Sequence, residues 1–314
     1  MNSVHARSTR SLDHGLRKLV EGVTYIQAIR IAFHQAATTR CLMLSKLDTA
    51  LRHCPRCGLD NSDRSPSFYS RGDWQLKECA SCSFVYLENP PAYEELSETY
   101  AWEQTFDKEK ERRCREEPIL FWMSAKVKYF RKQVFKRDKL VRLLKQIPSG
   151  NLLDVGCGTG VGFDSLSTRF IPHGVEVSKQ LAADSHTRAA RRGGFVIHKD
   201  AVSGVSDFQS DFFQGAILCS FLEHEAQPQA LLRELHRVVV RGGLVIIKVP
   251  NYACWNRRLR GKQWCGFRFP DHVNYFTPVS LSRMVEHAGF VIKHFRLRDR
   301  FPLSDNMWMI VERK

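Results

Sequence analysis

A short glycine-rich stretch decides the fold of this chain: Leu152–Gly160, with the sequence LLDVGCGTG. It places an apolar run directly before an acidic residue and three alternating glycines. Glycine has no Cβ to block a ligand and readily adopts positive φ, and the free N–H groups of a following helix can face a bound molecule. The stretch therefore predicts a strand, a nucleoside-binding turn and the start of a helix. A glycine-rich turn without a ligand is the alternative that this stretch alone leaves open.

Three polar features follow in the order that a doubly wound α/β sheet requires. Glu176 ends a short strand pattern about twenty residues after the glycines, where a carboxylate can accept hydrogen bonds from both hydroxyls of a ribose. Asp200 follows the next strand pattern, and Glu223 and His224 end a long apolar run that predicts a buried parallel strand. Without the other motifs, the simplest interpretation of Glu176 is a solvated residue at a strand end, and that of Asp200 is a residue in a turn. Because ligands bind outside the carboxyl ends of such strands, we expect Glu223 and His224 to project into the crevice.

The second half of the chain alternates helix and strand patterns. Small polar residues, prolines and glycines mark the ends of the helices, because they cap the helix, open its first turn or stop it. The predicted boundaries are a helix over 179–190 capped by Ser178, a helix opened by Pro228 and stopped by Gly242-Gly243, a buried strand over 244–250, a helix opened by Thr277-Pro278 and stopped by Gly289, and last strands over 290–295 and 307–311. The last two strands would complete a sheet of seven.

The pattern D-x-G-x-G-x-G that begins at Asp154 resembles the first motif of the class I S-adenosylmethionine-dependent methyltransferases. A dinucleotide site has the different spacing G-x-G-x-x-G and holds a pyrophosphate, which S-adenosylmethionine lacks. A Glu-His pair followed by a helix, a double glycine and a strand ending in Val-Pro-Asn is also typical of many small-molecule members. The resemblance implies an α/β fold over 149–314: a Rossmann-like, seven-stranded, doubly wound sheet with helices on both faces and a C-terminal antiparallel hairpin.

The same resemblance implies S-adenosylmethionine as the cofactor and a set of residues that bind it. Glu176 would accept from the ribose, and Asp200 would accept from the adenine amine. The implied cofactor-binding set is Asp154, Gly156, Gly158, Gly160, Glu176, Asp200 and Phe221.

His272 is the first candidate for a catalytic base, because it lies beside the predicted crevice and histidine titrates near neutral pH. His224 and Glu223 are its competitors. The alternative is that His272 only holds its loop in place by a hydrogen bond. Many methyltransferases also work by proximity and orientation, without a strong base.

Four of the ten cysteines form two C-x-x-C pairs, Cys54 with Cys57 and Cys79 with Cys82. The pairs are separated by 21 residues, slightly more than the usual zinc-ribbon interval of about 15–20. Two tight turns can supply four thiolates to a tetrahedral Zn²⁺ ion, whereas a redox-active pair needs a thioredoxin-like setting that this sequence lacks. The pattern predicts a structural zinc ion, since a closed Cys₄ site has no open coordination position.

The order of these motifs is similar to that of bacterial methyltransferases with an N-terminal zinc-binding region. The predicted organisation is a basic, poorly ordered extension over 1–50, a zinc-ribbon-like domain over 51–100, a helical linker or lid over 101–148, and the S-adenosylmethionine-binding domain over 149–314. Met43 is an alternative natural start. An export signal is not expected, because charged and polar residues interrupt the apolar run of the extension.

The composition is that of a soluble protein with a basic surface. Of 314 residues, 43% are hydrophobic, and no apolar run approaches the roughly eighteen residues of a membrane span. The formal net charge of +15 favours anionic partners, but it does not choose among nucleic acid, phosphorylated metabolites and an anionic membrane surface. We expect a cytoplasmic protein, and the sequence leaves its oligomeric state open.

The segment 251–264 mixes arginines and lysine with aromatic residues and is too long for a simple connection. Such a segment could bind a phosphate or diphosphate and stack on a ring. The sequence thus favours methyl transfer to an oxygen or carbon of a small anionic metabolite, such as a nucleotide sugar or a glycan or natural-product precursor. RNA methylation is the second hypothesis, although N-P-P-A-Y at 89–93 lies far from the strand that an amine-methylase motif should follow. A non-catalytic nucleic-acid-binding module is the third.

Overall fold

The computed structural model describes residues 51–91 and 139–314, with the helical positions 111–112, 114–115, 118 and 122 between them. All of these belong to one compact unit, Thr49–Lys314. The predicted extension over 1–50 and most of the predicted linker over 101–148 lie outside the described residues. In the described part, no helix has the length and apolar character needed to span a bilayer.

Strands and helices alternate after a short first hairpin. The strands are β1 Leu76–Glu78, β2 Val85–Leu87, β3 Gly150–Val155, β4 Phe170–Glu176, β5 Val196–His198, β6 Phe213–Cys219, β7 Val239–Pro250, β8 Asn274–Tyr275, β9 Phe290–His294 and β10 Asn306–Arg313. The helices are α1 Lys139–Leu144, α2 Val161–Asp164, α3 Lys179–Ala190, α4 Ala201–Ser206, α5 Pro228–Val238, α6 Trp255–Arg260 and α7 Pro278–His287.

Seven strands form the central sheet in the order β5-β4-β3-β6-β7-β10-β9. The first five are parallel to one another, and β10 runs antiparallel to both β7 and β9. The strand order reverses between β3 and β6, which is where ligands bind in open α/β sheets. The predicted seven-stranded Rossmann-like sheet and its C-terminal antiparallel hairpin are confirmed.

Alternate residues of the central strands enter two separate hydrophobic cores. Leu153 and Val155 of β3 pack with α4, α5 and α7, whereas Leu152 packs with α1. The same alternation holds along β6, where Leu218 and Ile217 lie in different cores. Because successive side chains of a strand point to opposite faces, helices cover both faces of the sheet.

The helix caps follow the sequence closely. Ser178 Oγ accepts from Leu181 N at 3.5 Å, and Thr277 forms a capping box with Ser280. One boundary prediction is wrong. The helix that Gly242-Gly243 was expected to stop ends at Val238, and β7 begins at once, because the Val239 region already pairs with β6. The two glycines instead lie where the pairing of β6 with β7 shifts register.

A second sheet joins the cysteine-rich segment to the central domain. It has the order β1-β2-β8, and its third strand comes from a loop near the end of the chain. The partly buried Arg52 side chain stabilises this junction, because its guanidinium donates to the carbonyls of Leu87, Ala226 and Val273 and to Asn274 Oδ1. The small sheet therefore covers the segment that follows β6.

Candidate active site at the carboxyl edge of the sheet

The glycine loop, Gly156–Gly160, follows β3 directly. Its three glycines have φ values of 72°, 55° and 70°, in the left-handed region that side-chain-bearing residues avoid. A Cβ on Gly156 would lie 2.2 Å from the Phe221 ring, and one on Gly160 would lie 2.8 Å from Ser185 Cα. A Cβ on Gly158 would meet no described atom within 4 Å. Two glycines are thus required by close packing, and the third leaves an open concavity.

Glu176 spans this concavity from the end of β4. Its Oε2 accepts from Gly158 N at 2.8 Å, and its Oε1 accepts from Ser178 N at 3.0 Å. The side chain is buried, so these two bonds fix the direction in which the carboxylate faces. The acidic strand end and the glycine loop, predicted from separate motifs, therefore form one structure.

Asp154 lies beneath the loop and is only partly accessible. Burial, with a smaller effect of the Glu176 carboxylate, raises the pKa of Asp154 to about 7. Two carboxyl groups close together in a partly desolvated place favour a cationic or hydroxyl-bearing ligand, which would relieve both effects.

The two other implied cofactor residues lie at neighbouring strand ends. Asp200 is the N-cap of α4, and its Oδ1 accepts from Ser203 N at 2.9 Å. Phe221 follows β6 and packs over Gly156. The structure therefore gives Asp200 a capping role and places Phe221 against the glycine loop. A contact of either residue with the cofactor stays a prediction.

A second group of side chains, the Glu-His-His cluster, consists of Glu223, His224 and His272. One possible ligand atom from each lies within 4.8 Å of the others. Glu223 and His224 follow β6, whereas His272 comes from the loop before β8. Val273 N and Asn274 N both donate to the Glu223 carbonyl, at 2.8 and 3.0 Å, and bring the two segments together.

The two histidines have opposite electrostatic environments. His224 Nδ1 lies 2.9 Å from Asp271 Oδ1. Burial alone lowers the pKa of His224, but the Asp271 carboxylate outweighs burial and the pKa is raised. Burial, reinforced by His224 and Arg268, sets the pKa of His272 well below its ordinary value. His272 is therefore neutral, and His224 is the more basic of the two.

The four predicted zinc ligands also converge, in the cysteine cluster of Cys54, Cys57, Cys79 and Cys82. Sulfur atoms of Cys54 and Cys82, and of Cys57 and Cys79, are 3.5 Å apart. Ligands of tetrahedral zinc lie about 3.8 Å apart when each Zn–S bond is about 2.3 Å. The chemistry and spacing of the donor set therefore fit such an ion.

The two halves of the cysteine cluster repeat one backbone arrangement. The first cysteine of each pair donates its N–H to the carbonyl five residues later and accepts from the N–H four residues later. The fourth residue after that cysteine has a positive φ in both halves: 75° at Gly58 and 54° at Ser83. The repeat is typical of paired zinc knuckles.

A family model described as a methyltransferase domain matches residues 128–294, more than half of the chain. The chain belongs to this methyltransferase family. It is an S-adenosylmethionine-dependent enzyme, as the glycine stretch predicted. The open place at Gly158, the oriented Glu176 carboxylate and the nearby Asp154 fit a ligand with ribose hydroxyls and an ammonium group.

Individual relatives are distant. An uncharacterized protein of Methanocaldococcus jannaschii is 24% identical over 50% of this chain and 73% of its own length. A ubiquinone biosynthesis O-methyltransferase of Aeromonas salmonicida is 25% identical over 49% of this chain and 68% of its own. Among solved structures, a SAM-dependent methyltransferase of Archaeoglobus fulgidus is 15% identical, with a TM-score of 0.44, and covers 59% of this chain and 98% of its own.

The segment 251–264 of the methyltransferase differs from expectation in its aromatic residues. Trp264 is fully buried, and its Nε1 donates to Asp305 Oδ1 at 2.8 Å, so its ring is not available to stack on a ligand. Tyr252 is also buried, against Arg257. Trp255, 55% exposed, remains as an accessible aromatic face. Tyr252 and Trp264 belong to a hydrophobic cluster with Leu76 and Val85 of the small sheet.

Sequence analysis missed the residues that support the Glu-His-His cluster. Asp271 holds His224 and also pairs with Arg268 at 2.6 Å. The adjacent Asp271-His272 dipeptide was an available signal, because carboxylates commonly orient histidines. Arg52 had no such signal, since its four acceptors come from three distant segments of the chain.

Proposed function

We infer that this methyltransferase acts on an oxygen or carbon of a small anionic metabolite, such as a nucleotide sugar or a glycan or natural-product precursor. The observation that carries this proposal is a pocket of about 360 Å³ between the second cysteine knuckle, the segment after β7 and the start of α7. Its lining residues are separate from those of the glycine loop and the Glu-His-His cluster. Its charged lining consists of three arginines and one glutamate: Arg257, Arg258, Arg283 and Glu78. Arginines in a small concave site favour phosphate or carboxylate groups.

The reaction would be an in-line displacement at the sulfonium methyl group that S-adenosylmethionine supplies. Glu176 and Asp154 would hold the ribose and amino-acid parts, with the glycine loop, and Asp200 and Phe221 would contact the adenine. A bond forms between the acceptor atom and the methyl carbon as the carbon–sulfur bond breaks. The proton leaves the acceptor for a base, and S-adenosylhomocysteine is the second product.

His224 is better suited than His272 to take that proton. Asp271 fixes its Nδ1 and favours the protonated ring, in the way that a carboxylate orients the histidine of a catalytic triad. His272 is held by its Nδ1 contact of 2.8 Å with the Gly266 carbonyl, and its environment opposes protonation. We assign it to positioning the acceptor, together with Glu223.

The cysteine cluster would hold a structural Zn²⁺ ion. All four ligands are cysteines, so the ion would have no open position for a substrate. Its role would be to order the small sheet that covers the segment after β6.

The proposal is tested with radiolabelled S-adenosylmethionine in fractionated extract of cells that lack the gene. Gly158→Arg should abolish transfer, because its side chain fills the cofactor concavity. Gly193→Arg is the matched control, since Gly193 also has a positive φ of 79° and no described atom within 4 Å of a built Cβ. Label in a nuclease-resistant small-molecule or glycolipid fraction supports the metabolite. Nuclease-sensitive label supports RNA instead, and label in neither fraction contradicts both acceptors.

A further inference from the structure

The Glu-His-His cluster brings together three side chains, and one possible ligand atom of each lies within 4.8 Å of the others. Each of the two histidines has its Nδ1 directed to an acceptor: Asp271 Oδ1 at 2.9 Å for His224 and the Gly266 carbonyl at 2.8 Å for His272. An Nδ1–H that donates in this way leaves the lone pair on Nε2 of the neutral ring. The rings lie 4.8 Å apart between centroids. Both Nε2 atoms are therefore available to bind an electrophile.

The third group is a buried carboxylate oxygen that needs a partner. Glu223 is only 1% exposed, and among the described residues Oε2 has no hydrogen-bond partner. Burying an unpaired carboxylate oxygen is costly, and such groups normally pair with a donor or coordinate a metal.

The backbone around these groups is fixed before any ligand binds. Asn274 Nδ2 donates to the carbonyls of Leu222 and Glu225, at 2.9 and 2.6 Å, and its neighbour Tyr275 pairs with Val85 of the small sheet. The loop that carries His272 is thereby tied to the segment that carries Glu223 and His224. A preorganised site of this kind lowers the cost of bringing ligands together.

We propose that Glu223, His224 and His272 form a binding site for a divalent transition-metal ion of the zinc class. Two imidazoles and one carboxylate suit Zn²⁺, Fe²⁺ or Co²⁺ better than Mg²⁺ or Ca²⁺, which prefer oxygen ligands. The contacts of the two Nδ1 atoms match the outer-sphere hydrogen bonds that metal-bound histidines almost always make. Binding would bring the ligand atoms, which now lie within 4.8 Å of one another, to separations of about 3.4 Å, as bonds of about 2.1 Å require.

Three protein ligands leave a coordination position open, unlike the cysteine cluster. An acceptor oxygen at that position would bind as a Lewis base, and the ion would lower its pKa. This role rests on the proposed function, whereas metal binding itself does not. With the ion bound, His224 Nε2 is a ligand and no longer accepts a proton, so the metal titration decides between the two roles.

The experiment uses full-length protein whose cysteine cluster retains zinc, titrated with Co²⁺ in the absence of acceptor and S-adenosylmethionine. Cobalt bound by nitrogen and oxygen gives weak visible bands without the intense thiolate charge-transfer absorption of a cysteine site. We expect one equivalent of Co²⁺ without that absorption, retained beside the zinc after gel filtration and elemental analysis. The absence of this equivalent, or its appearance only with thiolate absorption, overturns the proposal.

Two variants assign the site. His272→Asn keeps a donor for Gly266 while it removes Nε2, and Glu223→Gln keeps the shape of the side chain. We expect each to weaken Co²⁺ binding by more than about tenfold, and Asp271→Asn to weaken it by about 10- to 100-fold. The exposed His287→Asn is the control and should bind as the unaltered protein does. Unchanged binding in both ligand variants contradicts the site.

Folding and methyl-transfer activity are measured separately from metal binding. Circular dichroism and S-adenosylmethionine binding establish that each variant is folded. If cobalt binds as expected but no acceptor is methylated in extracts, the metal site stands and the proposed acceptor falls. If methyl transfer occurs and no cobalt binds, the proposed function stands and the metal site falls.

Discussion

The glycine loop and the Glu-His-His cluster lie at the same edge of the sheet, yet they are assembled differently. The loop and its partner Glu176 come from consecutive strands, joined by a hydrogen bond from Gly158 N to a residue 18 positions later. The cluster joins Glu223 to His272, 49 positions away, through a loop that pairs with the cysteine-rich segment. The side with the glycine loop, which we propose binds the cofactor and call the cofactor side, is therefore local in sequence. The side with the Glu-His-His cluster, which we propose binds the acceptor and call the acceptor side, depends on long-range contacts.

Removal of the Zn²⁺ ion that we propose for the cysteine cluster should have the largest effect and should separate the two sides. We expect methyl transfer to fall by at least about 100-fold, since displacing reacting groups by about 1 Å can cost that much. Binding of S-adenosylmethionine should change little, because the glycine loop does not depend on the small sheet. Calorimetric titration with S-adenosylmethionine and a methyl-transfer assay measure both in Cys79→Ser, with the exposed Cys114→Ser as the control. An equal loss of S-adenosylmethionine binding would contradict the idea that only the acceptor side depends on the cysteine cluster.

Arg52→Met tests the support of the acceptor side directly. The substitution leaves partly buried acceptors on Leu87, Ala226 and Asn274 without their donor. A fully buried unsatisfied group costs about 1–3 kcal/mol, and partial burial places each of these near the lower end. We expect the free energy of unfolding to fall by about 3 kcal/mol in urea titrations. Arg298→Met, at an exposed position, should change it by less than about 0.5 kcal/mol. A loss no larger than in this control would show that water replaces the guanidinium.

Asp154→Asn tests the cofactor side, where stability and binding should change in opposite directions. The raised pKa of Asp154 means that ionisation destabilises the folded protein increasingly between its ordinary pKa and about 7. The variant should therefore be more stable than the unaltered protein by about 2 kcal/mol at pH 8, after allowance for partial exposure. The gain should shrink as pH falls from 7 towards 4, and S-adenosylmethionine should bind more weakly. A gain that is independent of pH would contradict the raised pKa.

Ser83→Gly should have the smallest effect and compares the two cysteine knuckles. Ser83 has a φ of 54° where the other knuckle has Gly58. Glycine adopts this conformation without strain, so we expect the free energy of unfolding to rise by about 0.5–1 kcal/mol. Gly58→Ser should lower it by a similar amount. Thermal unfolding of both zinc-loaded variants measures the difference, and changes of the same sign would refute the equivalence of the knuckles.

Sequence patterns predicted the strands, the glycine loop and the helix caps well because their signals are local. Ser178 and Thr277 cap helices where their residue types indicated. Gly242-Gly243 gave the wrong end for the preceding helix, because a helix end depends on where the next strand begins to pair and not only on the nearest glycine. The four cysteines were recognised by spacing, since each knuckle is a short local turn.

On the acceptor side, sequence patterns did not predict which side chains are buried or how their pKa values shift. Trp264 belongs to a polar and aromatic segment but is fully buried, because it packs in a hydrophobic cluster with Leu76 and Val85 of the small sheet. The roles of His224 and His272 depend on Asp271, Arg268 and their burial, which set opposite pKa shifts. No spacing rule contains this information.

The sequence by itself determined the seven-stranded α/β sheet, the glycine loop with Glu176 and the pairing of the cysteines. These features follow from backbone conformation and short-range periodicity, which a few neighbouring residues specify. Only the tertiary structure decided that β8 completes the small sheet, that Arg52 fastens it and that Glu223, His224 and His272 converge. The physical reason is that these contacts join distant segments, and their desolvation and charge exist only once those segments pack together.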